Sequence, residues 1–262
     1  MATKKEKIMT VEIEEVRKEH MSVSVVGTSP IILNRMSEKA KQDLLIGTKK
    51  KNKAEKESQA KHYPIAEYRE SPYCIEAEDA PTYLGIMATA FKGAMKTAAL
   101  DLPGSSKAQI GRLVYVEGDL VTLYGVPQIH LSVTRSADIN KTPDVRSRAI
   151  IPKWAATITI SFVTPIMKPK AVLNLLAAGG ITSGVGDWRV EKGKGDYGQF
   201  RIANEEDLEL KEIIATGGRD AQIAAIDEPK PYDLETKKLL AWYDEEYVRR
   251  GYKPIHRHDR IL

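Results

Sequence analysis

A single cysteine, Cys74, stands in 262 residues, so no disulfide can form within the chain, and a reducing cytoplasm is the expected setting. Its place in a stretch of strand character suits a small buried apolar role. Long apolar runs are missing: none approaches the roughly 18 residues that a membrane-spanning helix needs. The first ten residues (M-A-T-K-K-E-K-I-M-T) have no apolar core and no small-residue cleavage site, so no secretory signal is expected. Catalytic signatures are also lacking, since no H-E-x-x-H, P-loop or G-x-S-x-G occurs. The histidines (His20, His62, His130, His256, His258) are scattered and lack metal-ligand spacing, so neither a metal nor a cofactor is expected. Gly193, Gly195 and Gly198 fit G-x-G-x-x-G as text alone. The dinucleotide fingerprint needs a strand before the glycines and a helix after them, and here the order is reversed.

What is present is an ordinary globular composition, 42% hydrophobic and 29% charged, enough for one core with insertions. The net charge of +4 is small, but its distribution is uneven. Residues 49–61 hold six lysines and two glutamates, or +4; residues 135–201 hold eleven basic and five acidic side chains, or +6. From residue 205 onward ten basic and fourteen acidic residues give −4. Clustered positive charge supplies the sequence-independent part of nucleic-acid affinity.

Along the chain, residues 1–20 are charged and alternate poorly, and are expected to form a frayed or helical arm. Residues 21–28 (M-S-V-S-V-V-G-T) read as the first core strand. Ser37 caps a short helix over 37–46, and lysine-dense residues 47–61 read as an extended or disordered insertion. Residues 85–100 form the clearest helix, with Met87, Phe91 and Met95 on one face. Residues 112–116 and 119–124 suggest a hairpin or bulged strand pair, and polar residues 136–151 a second excursion. Residues 155–163 (A-A-T-I-T-I-S-F-V) alternate as a strand, 170–178 form a helix, and 197–203 a last strand. The order β-α-β-β-α-β predicts an α+β, ferredoxin-like (RRM-like) core over 21–204, with insertions at about 36–80 and 134–153. Residues 205–262 form a C-terminal extension, helical over about 233–250.

The helix at 170–178 runs into a glycine-rich stretch, 179–201 (G-G-I-T-S-G-V-G-D-W-R-V-E-K-G-K-G-D-Y-G-Q-F-R). Its glycines allow positive φ and close backbone approach, and among them sit Trp188, Arg189, Lys192 and Lys194. An aromatic plane interleaved with cations suits stacked bases and phosphates.

Three stretches in order resemble the RAMP superfamily, the repeat-associated proteins of CRISPR effector complexes. Residues 27–34 (G-T-S-P-I-I-L-N) resemble its first strand-to-loop exit. Residues 91–98 (F-K-G-A-M-K-T-A), after Pro81, are similar to its lysine-bearing helix start, with Ala88, Thr89 and Ala90 where serines are usual. Residues 184–202 look like its glycine-rich loop followed by a strand, with an unusual Asp187-Trp188-Arg189. The resemblance implies a subunit that assembles with copies of itself along RNA and holds the phosphate backbone. It implicates Asn34 and Arg35, Lys92 and Lys96, and Gly184, Gly186, Trp188, Arg189, Lys192 and Lys194. Arg146 and Arg148 join them on charge alone. Alternatives are a phage single-stranded DNA coating or annealing protein, an RNA endonuclease of the same superfamily with Asp43 as the aspartate to test, and a purely structural assembly subunit. With no histidine in the three stretches, binding without chemistry is the favoured expectation.

Overall fold

Alternation of side chains decides the central strands. In the computed structural model, which describes residues 14–47, 60–135, 142–192 and 195–252, β1 (Arg17–Gly27) turns Val23 and Val25 into the core and leaves Ser22 exposed. β9 (Ala155–Thr164) does the same, burying Ile158, Ile160 and Phe162 while Thr157 and Thr159 face solvent. The two pair antiparallel from Arg17↔Thr164 to Val26↔Ala155 and form the middle of the molecule. The expected arm at 1–20 is therefore already strand from Arg17 on, because the partner strand supplies the ladder that the charged sequence does not advertise.

The remaining strands extend this sheet on both sides. They are β3 (Tyr73–Cys74), β4 (Leu84–Met87), β5 (Val114–Val116), β6 (Leu120–Tyr124) and β10 (Phe200–Ala203). The sheet order is β10-β1-β9-β6-β4-β3, with β5 also on β9, and every pair is antiparallel. Of the two arrangements expected for β5 and β6, a hairpin or a bulged strand pair, the second is found. Both lie along β9, interrupted at Gly118 (φ +77°), so the stretch is one bulged strand line. A second sheet, β2 (Ile31–Leu33), β8 (Pro143–Ile151) and β7 (Gln128–Arg135), includes the expected second excursion. Residues 147–151 of that excursion are buried, because Ala149, Ile150 and Ile151 pack into the core. The fold is thus mixed α+β with an antiparallel, curled sheet.

Helices fill the connections between these strands. α1 (Glu38–Ile46) starts at Ser37, whose hydroxyl accepts from the Ala40 amide, and buries none of its side chains. α2 (Pro64–Glu70) buries Tyr68, so part of the expected 36–80 insertion belongs to the packed body. Residues 48–59, most of the lysine-dense insertion, lie outside the described residues. α3 (Ala88–Ala98) carries Phe91, Ala94, Met95 and Ala98 inward; the helix expected from 85 starts only after β4, because residues 85–87 pair with β6. α4 (Lys107–Leu113) follows, so Arg112 is helical rather than in a strand. α5 (Pro169–Thr182) runs one turn beyond the expected 178 and takes in Gly179 and Gly180. These glycines serve close packing: a Cβ on Gly180 would overlap the Phe200 carbonyl oxygen, and one on Gly179 would press on the Ala94 backbone at 3.0 Å. α3 and α5 together cover one face of the sheet.

On the other face α6 (Leu208–Thr216) caps one end, where Leu210 and Ile213 meet Val26, Ala155 and Ala203. α7 (Arg219–Asp227) carries Gln222, which is wholly buried and fully hydrogen-bonded. Its Oε1 accepts from the Tyr83 and Leu84 amides at 2.8 and 2.9 Å. Its Nε2 donates to the carbonyls of Leu123, Gly125 and Gly217. Among the described residues the C-terminal extension therefore holds two helices beyond the expected one, which is α8 (Leu234–Arg249), capped by Asp233. Among the described residues no helix is long and apolar enough to cross a membrane.

Candidate functional site

The three stretches picked out in the sequence meet at one groove. Its cavity is about 510 Å³, bounded by Ile32 and Leu33 of β2 with Asn34 just after it, by Thr89, Gly93, Lys96 and Thr97 of α3, and by residues 184–187 with Arg189 and Glu191. Lys107, at the start of α4, joins the rim. That volume falls within the range of small-ligand clefts.

Backbone bonds fix the glycine-rich wall. The Gly198 amide donates to Pro30 O at 2.8 Å, Val185 N to Gly198 O at 2.9 Å, and Asp187 N to Ile32 O at 2.9 Å. Gly198 has φ +73°, and a Cβ there would overlap the Val185 carbonyl. Gly184 and Gly186 also have positive φ and line the groove. Trp188 adopts φ +51°, an uncommon conformation for a bulky residue, held by its amide donating to Asp187 Oδ1 at 3.0 Å.

Asp187 ties this wall to the rest. Its Oδ2 accepts from Asn34 Nδ2 at 3.0 Å and from Arg148 Nη1. Arg148 comes from β8, only 2% of its side chain is exposed, and it also donates to Ser132 Oγ at 2.7 Å. Burial holds its pKa below the ordinary guanidinium value, even though Asp187 works the other way. The Trp188 ring lies 4.8 Å from the Arg148 guanidinium and 6.3 Å from the Tyr197 ring. A second pair closes the far side: Arg189 donates from Nε to Glu191 Oε2 at 2.8 Å and from Nη1 to Gly186 O, while Thr97 Oγ1 donates to Glu191 Oε1. Burial would raise the Glu191 pKa, but the Arg189 hydrogen bond and charge, the Lys192 charge and the Thr97 hydrogen bond together outweigh it, and the carboxyl sits below its usual range.

Several expected site residues play other parts. Arg148, expected as a free surface cation, is an internal partner for Asp187, and Trp188, expected as an open stacking plane, already covers Arg148. Arg189 faces the groove with its charge matched by Glu191. Arg35 turns to Glu38 of α1, and its amide donates to Ser71 O at 2.7 Å. Lys92 does not line the groove, and its Nζ lies 4.2 Å from the Tyr115 ring centre. Arg146 is exposed on β8 opposite Ser132, and Lys192 is exposed on the 3-10 turn Val190–Lys192. Lys194 lies outside the described residues. Asp43 is within α1 and outside the groove.

With Asp187 and Glu191 matched by arginines, Lys96 and Lys107 make the groove net positive. Neither lysine has an ion-pair partner among the described residues. Lys107 and Thr97 were not singled out in the sequence; a lysine just after the Ser106 cap, in the segment that follows α3, was the available signal. Among the described residues no three His, Cys, Asp or Glu side chains converge to hold a metal ion. Set against protein-family models and against curated proteins, the chain matches none.

Proposed function

We propose that the groove holds the sugar-phosphate track of a single-stranded nucleic acid, RNA in preference to DNA, and that copies of the chain line up along the strand as RAMP backbone-type subunits do. The observation that carries this reading is the convergence of three distant stretches, around Asn34, Lys96 and residues 184–189, on one cavity with an uncompensated positive rim. Two lysines with no ion-pair partner among the described residues suit phosphate oxygens, whereas a neutral or cationic ligand would leave them unpaired.

The strand order also supports the reading. β1, α3, the β5–β6 line, β9, α5 and β10 follow one another with β1 and β9 central and β10 and β6 outside them, as a ferredoxin-like split β-α-β core requires. Leu44, Leu45 and Ile46 stand exposed at the end of α1, an apolar surface of the kind a neighbouring copy would cover. The preference for RNA rests on the family resemblance alone.

Competition between oligouridylate and oligothymidylate of equal length, read by fluorescence anisotropy, tests the sugar. Electron microscopy of the protein with and without oligonucleotide tests the assembly. Tighter binding of RNA, with particles that lengthen with the strand, supports the proposal. Binding of neither oligomer at low salt contradicts it.

A further inference from the structure

Tyr115 lies on β5 with its side chain on the sheet face that α3 and α5 leave uncovered, since its neighbours Val114 and Val116 pack inward. The residue is 40% exposed, and its ring is pinned by the hydroxyl, which donates to Arg112 O at 2.7 Å. Two ammonium groups flank it: Lys92 Nζ at 4.2 Å and Lys18 Nζ at 5.3 Å from the ring centre. Neither lysine has an ion-pair partner among the described residues. The nearby carboxylate, Glu117, is engaged by His20. In the register of β5, β9 and β1, Tyr115, Ser161 and His20 form one row, and the Ser161 hydroxyl in its centre is buried without a hydrogen-bond partner.

This patch is continuous with the groove. Lys92 and Lys96 are one helical turn apart on α3, and Lys96 lines the cavity while Lys92 covers Tyr115. Burial and the charge of Lys96 hold the Lys92 pKa below its ordinary value, as expected where two cations share a surface with no anion between them. We infer that a strand leaving the groove continues over α3 onto this face, where Tyr115 stacks one unpaired base and Lys92 and Lys18 swing from the ring to the adjoining phosphates.

The inference rests on the reading of the groove as a nucleic-acid track, and oligomer length separates the two. Binding of oligouridylates of about four and about sixteen nucleotides, the span of site sizes usual for such tracks, is measured by anisotropy for the wild type and variants. Tyr115→Ala is expected to weaken the long oligomer about tenfold or more and to leave the short one unchanged, and Tyr115→Phe to retain wild-type affinity. Lys18→Gln with Lys92→Gln is expected to lower the salt slope for the long oligomer by about two. Unchanged long-oligomer binding in Tyr115→Ala overturns this inference and leaves the groove reading standing. Equal losses for both lengths also overturn it, since the effect would then reach the groove itself. A polyglutamate chain that competes as well as oligouridylate would assign the patch to an acidic peptide instead. No binding of either length by the wild type removes both readings.

Discussion

Replacing Asp187 by alanine should destabilise the protein more than removing the arginine it pairs with. Arg148 is 2% exposed and Asp187 31%, so the two ends of the pair differ in what water can repair. Without Asp187, the Arg148 guanidinium stays buried with only the Ser132 hydroxyl and the Trp188 ring beside it, and its Nε already lacks a partner. Stripping a fully buried charge of its partner costs about 3–5 kcal/mol. Because Asp187 is partly exposed, its contribution is discounted to about 2–4 kcal/mol, the bonds to Asn34 and the Trp188 amide included. For a chain of this size that is a fall in Tm of roughly 4–16 °C. Arg148→Met removes the buried charge at its source and leaves Asp187 to Asn34, the Trp188 amide and solvent, for a loss of about 1–2 kcal/mol. Thermal unfolding followed by circular dichroism, with urea titration as a check, reads both. A shift below about 2 °C for Asp187→Ala, or a larger loss for Arg148→Met, would refute the reasoning.

Gln222→Leu orphans the amides of Tyr83 and Leu84 in a fully buried site and should cost about 2–5 kcal/mol by urea unfolding; a loss under about 1 kcal/mol, the value of one ordinary hydrogen bond, would contradict it. His62 is bonded to Glu67 and Asp144, and those bonds raise its pKa above 6.5. Its contribution is therefore complete below that value and lost as pH rises through the folded-state pKa, so the Tm difference between wild type and His62→Gln should shrink upward from about pH 6.5. His130 works in the opposite direction, because burial lowers its pKa and its contribution fades as pH falls. The variant difference cancels the His130 effect, and a gap that is flat across the range would sink the assignment. Gly198→Ala places a Cβ against the Val185 carbonyl at φ +73° and should lower both Tm and oligonucleotide affinity. Unchanged values in calorimetry and anisotropy would contradict the account of that wall.

Much of the fold was legible because its signals are local. The alternation of Ala155, Thr157 and Thr159 against Ile158 and Ile160, and the cap at Ser37, need no knowledge of distant residues. The groove was legible as three separate stretches, although nothing in the sequence shows them touching. What escaped depends on long-range partners. Gly179 and Gly180 read as loop because glycine disfavours a helix locally, while the close approach to Ala94 and Phe200 that compensates is tertiary. Arg148 read as a surface cation because Asp187 is 39 positions away, and Trp188 read as an open plane because its cover is that same arginine. α6 and α7 were missed beneath an acidic composition, with buried Leu210, Ile213, Gln222 and Ile226 as their sparse inward faces.

The most direct test of the central claim is the salt dependence of single-stranded RNA binding by the wild type and by a Lys96→Glu, Lys107→Glu variant. Wild-type affinity should fall steadily with salt, and the variant should bind far more weakly at low salt with a slope smaller by about two. Wild-type affinity absent at low salt, or a variant indistinguishable from the wild type, would contradict the proposal that this groove carries the strand.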